Sequence, residues 1–251
     1  MKVTRLLITI LIAVSLASCV TNEKLTYMQY ETNNGKMPEQ SVYKLMPYDN
    51  IFIRVVTPDP QWSAMFNTMP VTTTSITVTE QSADLVSYVV DGEGYIELPY
   101  AGRILVAGKT LEMVTAEVEK LLKSYITDAA VTVKMVNNYV SLLGEFQRPG
   151  RYLIYKDRMN IFQAIAMAGD LTNFGNRKKL QMIRQTPSGN IVKEFSLLDR
   201  SILSSEYFYV MPNDVIYSQP IKGKFFRLDA FPYTVILSTI TTFLLIWSVL
   251  K

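Results

Sequence analysis

Few side chains in this sequence could perform covalent or acid–base chemistry. There is no His, which removes the commonest general base, the commonest metal ligand and every Ser–His or Cys–His nucleophile. Cys19 is the only cysteine, so no disulfide framework is possible. Carboxylates remain. Asp91 and Glu93 flank a glycine in Asp91-Gly92-Glu93-Gly94. They could be imagined as a paired acid and base, but a glycine-interrupted turn holds two carboxylates poorly, and these residues are turn formers in their own right. Asp214 follows Pro212-Asn213 and also reads as part of a turn. Arg177-Lys178-Lys179 reads as a solvated loop, with an acidic partner or a glycan as the functional alternative. No residue is assigned as catalytic and none as a metal ligand.

The chain has 251 residues, enough for two modest domains, and 49% of them are hydrophobic, enough to build cores. Its formal charge is +3, but Lys2 and Arg5 belong to an N-terminal leader whose removal leaves 23 basic against 22 acidic residues. That balance gives no concentrated positive surface for nucleic acid. The leader has a short basic start and an apolar run from Leu6 to Leu16, and it ends in Leu16-Ala17-Ser18-Cys19. This is a secretory signal peptide by length and flanks. The ending resembles a bacterial lipobox, which implies that Cys19 is lipidated and becomes the mature N-terminus. That covalent lipid is the only group expected in a cofactor's place.

The elements that follow are short. Residues 20–40 are polar and read as a flexible tether. Tyr43 and Leu45, then Ile51, Ile53 and Val55, alternate as strands around a Pro47-Tyr48-Asp49-Asn50 turn. Val71 to Thr79 is β-branched and reads as a strand. Val86–Val90, Tyr95–Leu98 and Arg103–Val106 continue the strands. Thr110 caps a helix carrying Leu111, Val114, Val118, Leu121, Leu122 and Tyr125 at helical spacing, and Val131, Val133 and Met135 return to strand. A second unit begins near Tyr139. It has a strand pair about Pro149-Gly150, a helix with Ile161, Ala164, Ile165 and Ala168 on one face and Gly169 closing it, a hairpin across residues 187–190, and a closing strand at 214–218.

Several of these segments resemble known domains. Tyr43-x-Leu45-x-Pro47-x-Asp49-x-Ile51-x-Ile53-x-Val55, then Val90-Asp91-Gly92-Glu93-Gly94-Tyr95-Ile96-Glu97-Leu98-Pro99 and Gly102-x-Ile104-x-Val106-x-Gly108-x-Thr110-Leu111, resembles a polysaccharide export domain. Leu143-Gly144-Glu145-Phe146-x-x-Pro149-Gly150-x-Tyr152, Ile161-x-x-Ala164-Ile165-x-x-Ala168-Gly169 and Met211-Pro212-x-Asp214-Val215-Ile216-Tyr217 resemble an SLBB (soluble ligand-binding β-grasp) domain. The whole is similar to Wza-type outer-membrane polysaccharide export lipoproteins, with one SLBB unit where larger members carry two.

The resemblance implies a fold class and a function. The fold class is α+β, with two small β-rich domains followed by a C-terminal transmembrane α-helix. The expected boundaries are a signal peptide at 1–18, a lipid-anchored tether at 19–40, an export domain at 41–137, an SLBB domain at 138–220, a linker at 221–232 and the helix at 233–250. The implied function is that of a non-enzymatic subunit of a homo-oligomeric outer-membrane ring. The ring would pass capsular or exopolysaccharide from periplasm to cell surface, and most of the chain would lie in the periplasm. The implied partner is an inner-membrane polysaccharide co-polymerase, often a tyrosine autokinase. Two alternatives are a lipid-anchored accessory protein that binds glycan or scaffolds the machinery, and a glycan-modifying enzyme using Asp91, Glu93 or Asp214.

The last segment carries the pore expectation. From Tyr233 to Leu250 there are 18 uncharged residues, about 27 Å as a helix. On a helical wheel Thr234, Ser238, Thr241, Thr242 and Ser248 share an arc of roughly 120°, and Ile236, Ile240, Phe243, Trp247 and Leu250 cluster opposite. The residues alone leave open whether the hydroxyls face a neighbour or water, or bond back to their own helix. The resemblance implies that the first set lines a lumen and the second faces lipid.

Overall fold

In the computed structural model, which describes residues 26–30, 38, 42–67, 86–126, 128–136, 138–156, 158–221, 224 and 233–249, the chain runs through the following elements. They are β1 (Asn50–Val56), α1 (Pro60–Phe66), β2 (Tyr88–Val89), β3 (Tyr95–Leu98), β4 (Gly102–Leu105), α2 (Leu111–Leu122), β5 (Ala130–Met135), β6 (Tyr139–Gly144), β7 (Gly150–Leu153), β8 (Met159–Asn160), α3 (Ile161–Met167), β9 (Gly175–Thr186), β10 (Gly189–Phe195), β11 (Tyr209–Val210), β12 (Val215–Pro220) and α4 (Tyr233–Val249).

The first half is built on the alternation in β1, which turns Ile51, Ile53 and Val55 inward. Its edges pair antiparallel with β5 and with β2. Helix α2 starts at Thr110, whose hydroxyl accepts the Met113 N–H at 3.2 Å. Its Val114, Val118 and Leu122 form one buried stripe at four-residue spacing. The β3–β4 hairpin adds Ile96, Leu98 and Ile104 to the same core. Helix α1 is capped by Asp59 and delivers Phe66 to that core. It ends at Asn67, whose amide donates to Val55 O at 2.7 Å and accepts from Val55 N at 2.9 Å, a side chain standing in for one rung of a sheet.

The second half forms a five-stranded sheet in the order β10-β9-β12-β6-β7. It is mixed, because β12 pairs parallel with β6 and antiparallel with β9. Helix α3 begins with a reciprocal cap between Asn160 and Gln163 and packs Ile161, Ala164 and Ile165 into a second, separate core with Val140, Leu142, Leu180, Met182 and Ile216. Gly144 ends β6 at φ +87°, and a Cβ there would sit 2.1 Å from the Ser218 carbonyl oxygen.

The fold class expected from sequence does not stand as written. The described residues form antiparallel and mixed sheets with four helices, and none of those helices is long and apolar enough to cross a membrane. The C-terminal helix has 17 residues, about 26 Å of rise against a hydrocarbon core near 30 Å. The expected transmembrane helix over 233–250 is therefore corrected. The signal peptide, Cys19, the 71–79 strand and Leu250 lie outside the described residues.

Candidate functional site

One turn occurs twice, once in each domain. Met46-Pro47-Tyr48-Asp49 leads into β1, and Met211-Pro212-Asn213-Asp214 leads into β12. In both, the aspartate carboxylate reaches back to the methionine N–H, at 2.8 Å for Asp49 and 2.7 Å for Asp214. In both, the aspartate N–H donates to the methionine carbonyl at 3.2 Å. The third residue has a left-handed backbone, Tyr48 at φ +72° and Asn213 at φ +64°. Its N–H donates to a neighbouring strand, to Val90 O at 2.8 Å or Tyr139 O at 2.7 Å. Both aspartates are buried, at 2% and 0% exposure.

A buried carboxylate needs a partner, and the two turns find different ones. Asp49 accepts the Tyr43 hydroxyl at 2.8 Å, and burial beside that carboxylate raises the Tyr43 pKa. Asp214 takes the Arg184 guanidinium in a fork, with Arg184 also donating to Tyr209 O at 2.9 Å. Burial pushes the Asp214 carboxyl above its ordinary range, and Arg184 pulls it partly back. Both sites organise strands.

Asp91 behaves as a turn former. Its carboxylate accepts the Tyr95 and Glu93 N–H groups at 2.8 and 3.0 Å and pairs with Arg103 at 2.6 Å. The Tyr95 N–H does most to hold it below the usual carboxylate range. Arg103 also bonds Glu93 at 3.0 Å and lies 4.6 Å above the Tyr95 ring. A general acid near neutral pH needs the opposite shift, so Asp91 does not have the electrostatics of one.

Arg177-Lys178-Lys179 is not a solvated loop. It lies in β9, where Arg177 is buried at 5% exposure, bonds the Leu171 and Thr172 carbonyls at 3.2 and 3.1 Å, and pairs with Asp170 at 3.4 Å. Lys179 pairs with Glu194 across the hairpin at 3.3 Å. Arg177 turns inward while Lys178 and Lys179 are both exposed, a difference that the run of charge concealed.

Part of the expected tether is docked. Met28 and Tyr30 donate their N–H groups to Leu197 and Leu198 carbonyls at 3.0 and 3.2 Å, and Tyr30 forms a parallel bridge with Asp199. The Tyr27 hydroxyl donates to Asp170, its ring meets Phe162 edge-on at 6.0 Å, and the Arg177 guanidinium lies 5.6 Å above it. Burial and the adjacent Asp170 raise the Tyr27 pKa.

On α4, Ser238, Thr241, Thr242 and Ser248 donate their hydroxyls to the Val235, Leu237, Ser238 and Leu245 carbonyls of their own helix, at 2.7–2.9 Å. Thr234, Ile236, Ile240, Phe243 and Trp247 are exposed on the same helix.

The first domain thus pairs a β1–β5 sheet with a closing helix, and its described residues assemble no catalytic constellation. Residues 37–136 of this domain match the family described as Polysaccharide biosynthesis/export protein, and the resemblance to Wza-type export proteins read from its motifs is borne out there. Over 101 residues, 39% of its length, the chain is 34% identical to the EPS I polysaccharide export outer membrane protein EpsA of Ralstonia nicotianae. It is 31% identical to the protein of the same name from Ralstonia solanacearum over a segment of the same length. The aligned segment spans 26% and 27% of those relatives, about a quarter of their length.

Proposed function

We propose that the chain is an outer-membrane component of polysaccharide export, a transport part and not an enzyme. The observation that carries this reading is the match of residues 37–136 to an export family whose relatives are named as outer membrane proteins. In the finer reading, copies associate into a ring that passes capsular or exopolysaccharide outward. An inner-membrane co-polymerase or tyrosine autokinase supplies the polymer, and a lipid on Cys19 ties the ring to the membrane. The second domain serves as an SLBB module in that ring.

Two features support this arrangement. Thr26 lies seven residues past Cys19, and residues 27–30 are bonded to the second domain. An acyl chain on Cys19 would then hold that domain within about 25 Å of the membrane surface. Helix α4 exposes Phe243, Leu244 and Trp247, apolar surface of the kind that association covers.

The test is deletion of the gene with complementation by the full chain. Deletion removes surface polysaccharide, the full chain restores it and fractionates with the outer membrane, and Cys19→Ser abolishes that fractionation. Unchanged surface polysaccharide on deletion overturns the reading. A chain that is required but monomeric in native gels and by cross-linking points instead to a lipid-anchored accessory protein.

A further inference from the structure

Two tyrosines of the export domain sit in backbone conformations that suit them poorly. Tyr48 is at φ +72° and Tyr100 at φ +62°. For a bulky residue this left-handed region is an outlier, tolerated by Asn and freely adopted by Gly. The second copy of the Met-Pro-x-Asp turn supplies an internal control. It makes the same hydrogen bonds with Asn213 at the strained position, so the turn itself does not call for an aromatic ring.

Nor does packing explain the two rings. Tyr48 is 75% exposed and Tyr100 69% exposed. Tyr100 touches the buried Phe66 only edge-on, with ring centres 6.1 Å apart. Both flank one hairpin. The Tyr48 hydroxyl lies over Gly92, in the Asp91–Gly94 turn before β3. Tyr100 lies in the turn between β3 and β4 and borders a shallow open depression lined by Glu97, Leu98, Pro99 and Gly102. Glu97 faces Arg103 in register, but Arg103 is turned onto Asp91 and Glu93, so among the described residues Glu97 makes no ion pair.

We propose that this hairpin is a glycan-binding surface, with the exposed Tyr48 and Tyr100 rings as stacking platforms and the Glu97 carboxylate as hydroxyl acceptor. Strain held at side chains this exposed points to a functional constraint. An aromatic face beside a carboxylate matches the two sides of a pyranose, an apolar C–H face and a rim of hydroxyl donors. The hairpin and its leading turn carry Asp91, Glu93 and Glu97 against Arg103, so the surface favours a neutral hexose polymer over one of uronic acids. The proposal rests on the export reading and names the chemistry of the polymer that the chain handles.

The experiment is saturation-transfer NMR on the full chain with maltohexaose and cellohexaose as neutral probes and a galacturonic acid hexamer as the acidic one. Transfer to a neutral probe is expected, with less to the acidic one. Tyr48→Asn and Tyr100→Asn each weaken binding at least fivefold while the melting temperature stays level or rises, because Asn relieves the strain. Glu97→Gln weakens binding without changing the fold. A merely structural tyrosine would lower the melting temperature when replaced. Absence of transfer to either neutral probe, a preference for the acidic probe, unchanged binding in the variants, or a lower melting temperature in the Asn variants overturns the proposal. Complementation separates the two levels. If the wild-type chain restores export and Tyr48→Asn/Tyr100→Asn does so equally well, the surface fails and the export reading stands. If the wild-type chain is not needed for export, the export reading itself fails.

Discussion

Arg184 and Asp214 meet through two parallel hydrogen bonds, Nε to Oδ1 at 2.9 Å and Nη2 to Oδ2 at 2.7 Å, with the carboxylate fully buried. Arg184 is on β9, and Asp214 closes the turn that starts β12, the strand where the sheet changes from antiparallel to parallel pairing. The pair therefore fixes the entry of the one strand that joins both halves of the sheet. In the first domain the equivalent Asp49 accepts the neutral Tyr43 hydroxyl and the Met46 N–H, each at 2.8 Å.

The two partners should differ in what their loss costs. Arg184→Met leaves a buried carboxylate without its counter-charge, and a loss of about 3–5 kcal/mol is expected. Tyr43→Phe removes one hydrogen bond from a carboxylate that keeps its backbone donor, and about 1–2 kcal/mol is expected. Urea unfolding of each variant checks both. Equal costs would mean that the Asp214 charge does not dominate its site.

Most strands and helices were legible because their periodicity is local. The α2 stripe of Val114, Val118 and Leu122 and the α3 cap at Asn160 follow from residues within one or two turns of each other. The long-range pairs were not legible. Arg184 finds Asp214 across 30 residues, and Tyr27 finds Asp170 across 143. No spacing rule carries that information. Arg177 was read as solvated because three consecutive basic residues look polar as a run, whereas in β9 Arg177 alone of the three is buried, against the Leu171 and Thr172 carbonyls. The C-terminal segment misled for a different reason. Composition and the absence of charge suggested a membrane span, but the helix described over Tyr233–Val249 is not long and apolar enough for one, and its hydroxyls close on their own backbone.

Gly144 is the strictest backbone position in the second domain. Alanine would combine a left-handed conformation with a Cβ 2.1 Å from the Ser218 carbonyl and 2.9 Å from the Tyr217 ring. The neighbour is backbone in the paired strand β12, so it cannot rotate away. Gly144→Ala should destabilise by about 3 kcal/mol or more, beyond the ~1–2 kcal/mol of left-handed strain alone. Gly189→Ala, where nothing lies within 4 Å of the added carbon, is the control and should show only the strain cost. Similar melting temperatures for the two variants would contradict this account.

The docked segment 26–30 makes a separate prediction. Tyr27→Ala removes the hydroxyl on Asp170 and the ring against Phe162, with an expected loss of about 2–3 kcal/mol from an aromatic side chain that is only partly buried. The segment would keep the backbone bonds of Met28 and Tyr30 and the two Arg200 bonds to their carbonyls, at 3.2 and 3.3 Å, without an aromatic anchor. Limited proteolysis should cut near residues 26–30 in the variant and spare them in the wild type. Equal protection would mean that the backbone bridge to Asp199, and not Tyr27, holds the segment.

Asp91 allows a test of the turn by pH. Its carboxylate pKa is held below the usual value of 3.8 in the folded chain, mainly by the Tyr95 N–H. Because the folded pKa is the lower one, the unfolded chain binds the proton more readily. The stabilisation is complete above the unfolded value and is lost as pH falls through the folded one. Asp91→Asn keeps an oxygen that can accept the two backbone N–H groups but carries no charge to titrate. The difference in urea midpoint between wild type and Asp91→Asn should therefore be flat from about pH 7 to pH 5 and should narrow below about pH 4. Salt separates the contributions. The Arg103 pair is about half exposed, with side-chain exposures of 53% and 43%, so added salt should shrink its share, while the backbone hydrogen bonds persist. A difference that stays constant down to pH 2 would show that the carboxylate is not held in its charged form by this turn.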